Sequence, residues 1–196
     1  ANGAENLFRT PENYRYFLQQ WQKYISPVAQ SLVYCLMPNH FHFLVRIREE
    51  KELEEFANKK FKTFNNNNNK DLTGFENLSG LISKQFSNLF NSYSKAFNKM
   101  YGRNGSLFQR PFKSKEIDSD EYFTTVILYI HQNPIHHGFT NDMKKWPYCS
   151  YNAILNGDDT FINRTEIIDL FGSKDEFINI HLQELERFKE LESWLT

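Results

Sequence analysis

The chain has 196 residues, with 23 Lys and Arg against 24 Asp and Glu and a formal net charge of -1, so overall charge points to no class of partner. That length supports one domain with a sizeable core and a small extension, not two large domains. Two cysteines, Cys35 and Cys149, form neither a metal-ligand spacing nor a disulfide framework. No apolar run approaches the roughly 18 residues that span a bilayer, and no basic leader precedes an apolar core. The expectation is a reduced, soluble, cytoplasmic protein.

In chain order the pattern is mixed. Thr10-Pro11 offers a capping hydroxyl and a proline at the first helical position, and Tyr14, Phe17, Leu18, Trp21 and Ile25 follow at helical spacing. Pro27 stops that helix. Val28 to Met37 reads as a strand, the Pro38-Asn39 turn follows, and a second strand ends near Ile47, so the two make a hairpin. The second strand begins His40-Phe41-His42, and side chains two apart on a strand share a face. Two imidazoles there can converge on one ion, or one can cap the strand while the other packs; an isolated pair of this spacing is usually structural. Residues 49 to 76 are polar, include five consecutive asparagines from Asn65 to Asn69, and read as a short helix plus a flexible insertion.

A long helix is expected over Leu78 to Tyr101. Phe86, Phe90, Tyr93, Phe97 and Tyr101 fall on one face and read as core, while Lys84, Lys95, Lys99 and Arg103 gather on the other. Residues 77 to 115 hold seven Lys or Arg and no Asp or Glu. Positive charge without interspersed acid suits a phosphate backbone, so these four with Arg110, Lys113 and Lys115 are candidate DNA-binding residues. The stretch Gly102 to Lys115 reads as a turn and then a basic, aromatic strand. Ser119-Asp120-Glu121 starts another helix, with Phe123, Val126, Ile127 and Ile130 as its buried stripe and Asn133-Pro134 as its end. Tyr129 and Asn133 stack one turn apart on it. His131 points about 200° around the helix from Tyr129 and is assigned no role. His136 and His137 fall in an expected loop, and His181 on a charged C-terminal helix. That last helix, Ser173 to Leu195, carries Phe177, Ile180, Leu185, Phe188, Leu191 and Trp194 among many acids, an amphipathic pattern suited to packing and poor for DNA.

Three separated blocks in this order, Tyr34-Cys35-Leu36-Met37-Pro38-Asn39-His40-Phe41-His42-Phe43-Leu44-Val45, then Gly105-Ser106-Leu107-Phe108-Gln109-Arg110-Pro111-Phe112-Lys113, then Tyr129-Ile130-His131-Gln132-Asn133-Pro134 with Gly138, resemble a known family. It is the HUH single-tyrosine transposases, in particular the insertion sequence 200-like group and its REP-associated tyrosine transposase relatives. The resemblance covers roughly residues 5 to 155 and implies an α+β, ferredoxin-like (RRM-like) antiparallel sheet with helices on one face. By this division 1–155 is the transposase domain, with the insertion at about 49–76, and 156–196 a C-terminal helical extension. It also implies a homodimer that binds single-stranded or hairpin DNA and cuts it through a 5′-phosphotyrosine intermediate. Carried over by position, Tyr129 is the nucleophile, and His40, His42 and Asn133 are ligands of a divalent metal, magnesium or manganese. Two imidazoles also suit zinc, for which a third ligand at suitable spacing is not evident. Relatives begin with a strand before Asn6-Leu7-Phe8-Arg9, and here only Ala1 to Glu5 precede that segment. The expectation is a chain truncated or renumbered relative to its gene, or a gap filled by another segment or subunit. The alternative function is a domesticated hairpin-DNA-binding protein without transposition activity. A metal-dependent ribonuclease or a nucleotide-binding module is disfavoured because no Gly-rich phosphate loop occurs.

Overall fold

A computed structural model describes residues 5–65, 78–109, 112–157 and 160–195. The architecture is α+β, with helices α1 (Pro11–Tyr24), α2 (Glu50–Asn65), α3 (Leu78–Tyr101), α4 (Asp120–His136), α5 (Ser150–Asn156), α6 (Arg164–Phe171) and α7 (Lys174–Leu195) around strands β1 (Ala29–Met37) and β2 (His40–Ile47). The hairpin turns at Pro38-Asn39 as its residues require. It is the one sheet among the described residues. No helix there is long and apolar enough to cross a membrane.

The chain divides into two compact units: Ala1–Gln30, Pro38–His40 and Val45–Phe112 in the first, Ser31–Met37, Phe41–Leu44 and Lys113–Thr196 in the second. In the first unit α1 and α2 pack on α3. Thr10 is the extended residue before α1. The Asn13 side-chain oxygen accepts from the N–H groups of Arg9 and Thr10 at 3.0 and 3.3 Å, and from the Tyr101 hydroxyl at 2.8 Å. One buried amide thereby caps one helix and ties it to another. Tyr93 donates its hydroxyl to the Leu7 carbonyl at 2.6 Å, and Phe8, Phe17 and Tyr93 meet ring to ring. Each such side chain, taken wholly from water, contributes about 1.5–3 kcal/mol before the entropy of ordering it.

The buried stripe of α3 is Leu81, Gln85, Leu89, Tyr93 and Phe97. Three of the five aromatics expected in the core, Phe86, Phe90 and Tyr101, are only half-buried. Phe86 instead stacks on Phe112 at 5.2 Å, and Phe90 meets Phe108 and Phe112 at a tilt, with ring centroids 4.8 and 5.6 Å apart. The expected strand ending at Lys115 does not form: residues 112–118 are without regular structure, and Lys113 to Glu116 are exposed. With no paired neighbour, those backbone groups are solvated instead of laddered. The ferredoxin-like sheet would need more strands than the two found among the described residues.

In the second unit β1 is buried along nearly all its length, and its outer edge is dressed by chain from beyond α4. Leu36 N–H donates to the Tyr148 carbonyl at 2.9 Å, Asn163 N–H donates to the Ser31 carbonyl at 2.9 Å, and Trp146 Nε1 donates to the Leu36 carbonyl at 3.0 Å. Those bonds satisfy an edge that would otherwise invite pairing. Helix α4 starts at a Ser119 cap that accepts from Tyr122 N–H. It does not stop at Asn133-Pro134. Pro134 sits inside the last turn, where the N–H it lacks orphans only the Ile130 carbonyl, and the helix runs to His136. The stop is Gly138, at φ +70°: Gly138 N–H donates to Ile135 O at 2.8 Å and Phe139 N–H to Pro134 O at 2.9 Å, a left-handed cap that glycine adopts without strain. His136 is thus helical and His137 the cap, not loop residues.

Candidate active site

The candidate nucleophile Tyr129 lies mid-way along α4 and is 47% exposed, while its neighbours Ile127, Leu128 and Ile130 are buried. The expected stripe is therefore displaced: Phe123 and Val126 are half-buried, and the buried run is Ile127, Leu128 and Ile130 to Pro134. His42 meets Tyr129 edge to face, with ring centroids 5.6 Å apart and planes at 76°. Asn133, one turn further along the helix, is fully buried. Three of the four expected site residues, His42, Tyr129 and Asn133, thus belong to one unit, and His40 is assigned to the other. His40 stands two positions before His42 on β2, hence on the same face of that strand, and its Nδ1 lies 2.8 Å from Asn39 Oδ1.

The donor set of His40, His42 and the Asn133 amide is neutral, with no thiolate or carboxylate. Such a set suits a loosely held divalent ion that keeps positions open for phosphate oxygens, not a closed structural zinc site. Among the described residues no group of three or more His, Cys, Asp or Glu side chains is arranged to hold a metal.

Sequence reasoning passed over His136. Its ring lies 6.1 Å from Tyr129 and stacks on Phe188 of α7 at 3.9 Å. The seven-residue interval from Tyr129, two helical turns, was the available signal. A larger omission lies on the opposite face of α4. His131 is fully buried, with Nδ1 2.8 Å from Nε2 of His181 and Nε2 2.9 Å from Ser150 Oγ. Burial holds the pKa of His131 well below its ordinary value, with His181 adding to the shift, and brings His181 down to about 4. Both imidazoles are neutral near pH 7.

Of the candidate DNA-binding residues in the first unit, Lys84, Lys95 and Lys99 are exposed on α3. Lys95 lines a cleft of about 390 Å³ together with Asn91, Ser94, Asn98, Gly105 and Ser106. Arg103 is committed elsewhere: it is half-buried, ion-paired with Glu5 and hydrogen-bonded to Asn98. In the second unit Lys113 and Lys115 are exposed, and Lys115 Nζ sits 4.3 Å from the centre of the Tyr122 ring. Arg110 lies outside the described residues. Compared with known proteins, the chain matches no family model, no curated protein and no solved structure.

Proposed function

We propose that the chain is a DNA-nicking and DNA-joining enzyme of the HUH single-tyrosine transposase type, acting on single-stranded or hairpin DNA, with Tyr129 as nucleophile. The observation that carries this reading is the pairing of an exposed helical tyrosine with His42, 5.6 Å away. A tyrosine on a helix edge is ordinarily packing; one left half in solvent against an imidazole from a His-x-His strand is placed to react. The hairpin and its flanking helices are read as part of a ferredoxin-like domain, and the active form as a homodimer.

Tyr129 Oη attacks phosphorus as the bond to the 3′ oxygen breaks, which leaves a 5′-phosphotyrosine and a free 3′-hydroxyl. The phenolic proton goes to water, and the departing oxygen takes one up. Because the phosphoryl bond is conserved on the enzyme, a second hydroxyl can rejoin the strand without a high-energy cofactor. His40, His42 and Asn133 are the residues that would hold magnesium or manganese, which would polarise the scissile phosphate and screen its charge. Exposed Lys84, Lys95 and Lys99, and separately Lys113 and Lys115, supply phosphate contacts that position DNA without reading sequence.

A second reading, a hairpin-DNA-binding protein that does not cut, is favoured by one observation: Asn133 is fully buried, so its amide would have to be uncovered to reach an ion. Incubation with labelled hairpin-bearing single strands and manganese separates the two. The enzyme gives a covalent adduct that withstands denaturation and disappears in Tyr129→Phe. Tight binding with no adduct over varied hairpins supports the second reading, and an adduct that persists in Tyr129→Phe excludes Tyr129 as the nucleophile.

A further inference from the structure

The end of α4 leads into a surface that the proposed chemistry does not use. Phe139, the first residue past the Gly138 cap, is 49% exposed. Its ring meets the half-buried Trp146 at 5.5 Å, and Trp146 meets the half-buried Tyr148 edge to face at 5.8 Å. Three rings in contact thus reach solvent together. A lone exposed aromatic needs no explanation, but aromatics that serve the core of this unit, such as Tyr151 and Phe177, are fully buried.

The three rings sit on backbone that is fixed before any ligand arrives. Phe139 N–H donates to the Pro134 carbonyl at 2.9 Å, which anchors that residue to the last turn of α4. The Trp146 indole donates from Nε1 to the Leu36 carbonyl at 3.0 Å, and Leu36 N–H donates to the Tyr148 carbonyl at 2.9 Å, so β1 holds the other two. Little ordering entropy is left to lose on binding. Charge decides what such a surface fits. Lys144 and Lys145 are exposed immediately before Trp146. The one acid across residues 137–157 is Asp142, and its Oδ1 accepts from Lys144 N–H at 2.9 Å as the cap of a short turn. Surfaces that dock proteins are depleted of lysine. Rings interleaved with cations instead suit a nucleic-acid strand, with bases on the rings and phosphates on the lysines. Bases within a stem already stack on one another, so unpaired bases are the ones with faces to offer.

We propose that Phe139, Trp146 and Tyr148, with Lys144 and Lys145, form a stacking platform for the unpaired nucleotides that flank a DNA hairpin. The inference rests on the reading of the chain as a protein of single-stranded or hairpin DNA, and adds where the unpaired strand lies. The platform and Tyr129 belong to the same compact unit. Tyr129 stands seven residues before the end of α4, about 10 Å along the axis at 1.5 Å per residue. A strand stacked on the platform therefore leaves the tyrosine within reach of a short further length of the same strand. The five residues hold substrate and take no part in bond breaking.

The test uses the full chain carrying Tyr129→Phe, so that binding is read without cutting, and two labelled DNA hairpins that differ only in unpaired oligothymidine arms. The armed hairpin should bind at least about fivefold more tightly than the blunt one, the least that one stacked base supplies, and should quench tryptophan emission. Phe139→Leu keeps an apolar side chain without a ring face. It should remove most of the arms' advantage and leave affinity for the blunt hairpin unchanged, and Phe139→Trp should restore the advantage. Lys144→Ala should lower the salt slope for the armed hairpin by about one. Equal affinity for the two hairpins, or an arm preference untouched by Phe139→Leu, would overturn the platform. So would a dimer that falls apart in Phe139→Asp with no response to the arms, which would assign the rings to a second copy of the chain. Adduct formation by the unsubstituted protein is scored separately. An adduct without arm preference removes the platform and leaves the enzyme; arm preference without an adduct removes the enzyme and leaves the platform.

Discussion

The two faces of α4 present one helix to two different environments. On one, Tyr129 is half in solvent beside His42; on the other, about half a turn around, His131 is sealed from water and bonded at both nitrogens. A reactive side chain must be reachable, and the backbone carrying it must not wander, since a misplacement of about 1 Å can cost about a hundredfold in rate. Placing the reachable group and the rigid anchor on opposite faces of one helix meets both needs. The helix between them transmits the position.

The difference between the faces is open to direct attack. The largest effect is expected on the exposed side: Tyr129→Phe removes one oxygen from a solvent-facing ring and should abolish covalent DNA attachment while changing stability by less than about 0.5 kcal/mol. A large loss of stability in that variant would mean the hydroxyl is structural. On the buried side the order reverses. Ser150→Ala leaves His131 Nε2 and Tyr34 N–H without their partner and should cost about 1–3 kcal/mol by denaturant unfolding, with activity reduced only as far as the helix loosens. A cost within error would show that the chain of bonds holds nothing.

Acidification follows in size. Both histidines have folded pKa values below their unfolded ones, so the unfolded state binds more protons as pH falls through about 6.5. Stability is therefore full above pH 7 and declines below it, by about 1.4 kcal/mol per histidine between pH 7.5 and 5.5. Denaturant unfolding at the two values should show it, and a midpoint insensitive to pH over that range would contradict buried neutral imidazoles. The smallest effects belong to the basic residues. Replacing Lys95 or Lys99 by Ala should lower the salt dependence of DNA affinity by about one unit of slope each if each meets one phosphate. Arg103→Ala should act on stability instead, since its guanidinium is engaged with Glu5 and Asn98.

These contrasts also mark what the amino-acid order made legible. The starts of α1 and α4 were readable because Thr10-Pro11 and Ser119-Asp120-Glu121 act locally, and the hairpin because Pro38-Asn39 separates two apolar runs. The end of α4 was misread. Pro134 is a strong local breaker, but in the last turn it orphans a single carbonyl, and the Gly138 cap two residues past the helix outweighs it. The strand expected up to Lys115 failed because a strand's existence depends on a neighbour, and no local pattern reveals whether one is there. Tyr129 and His42 were visible as residue types. The buried chain of His131, Ser150 and His181 was not, since these residues are remote in sequence and individually ordinary. A hint existed in the angles: a histidine about 200° from an exposed tyrosine points toward the core, and His181 follows Phe177 by four, on the apolar stripe of its own helix.

Peptide mapping of the DNA adduct tests the central claim most directly. After incubation with a hairpin-bearing single strand and manganese, nuclease trimming and proteolysis, mass spectrometry should place one nucleotide phosphate on the peptide carrying Tyr129, and on its phenolic oxygen. Attachment at any other residue, or a full panel of bound hairpins that leaves every tyrosine unmodified, would contradict the reading of α4 as a helix with one reactive and one anchoring face.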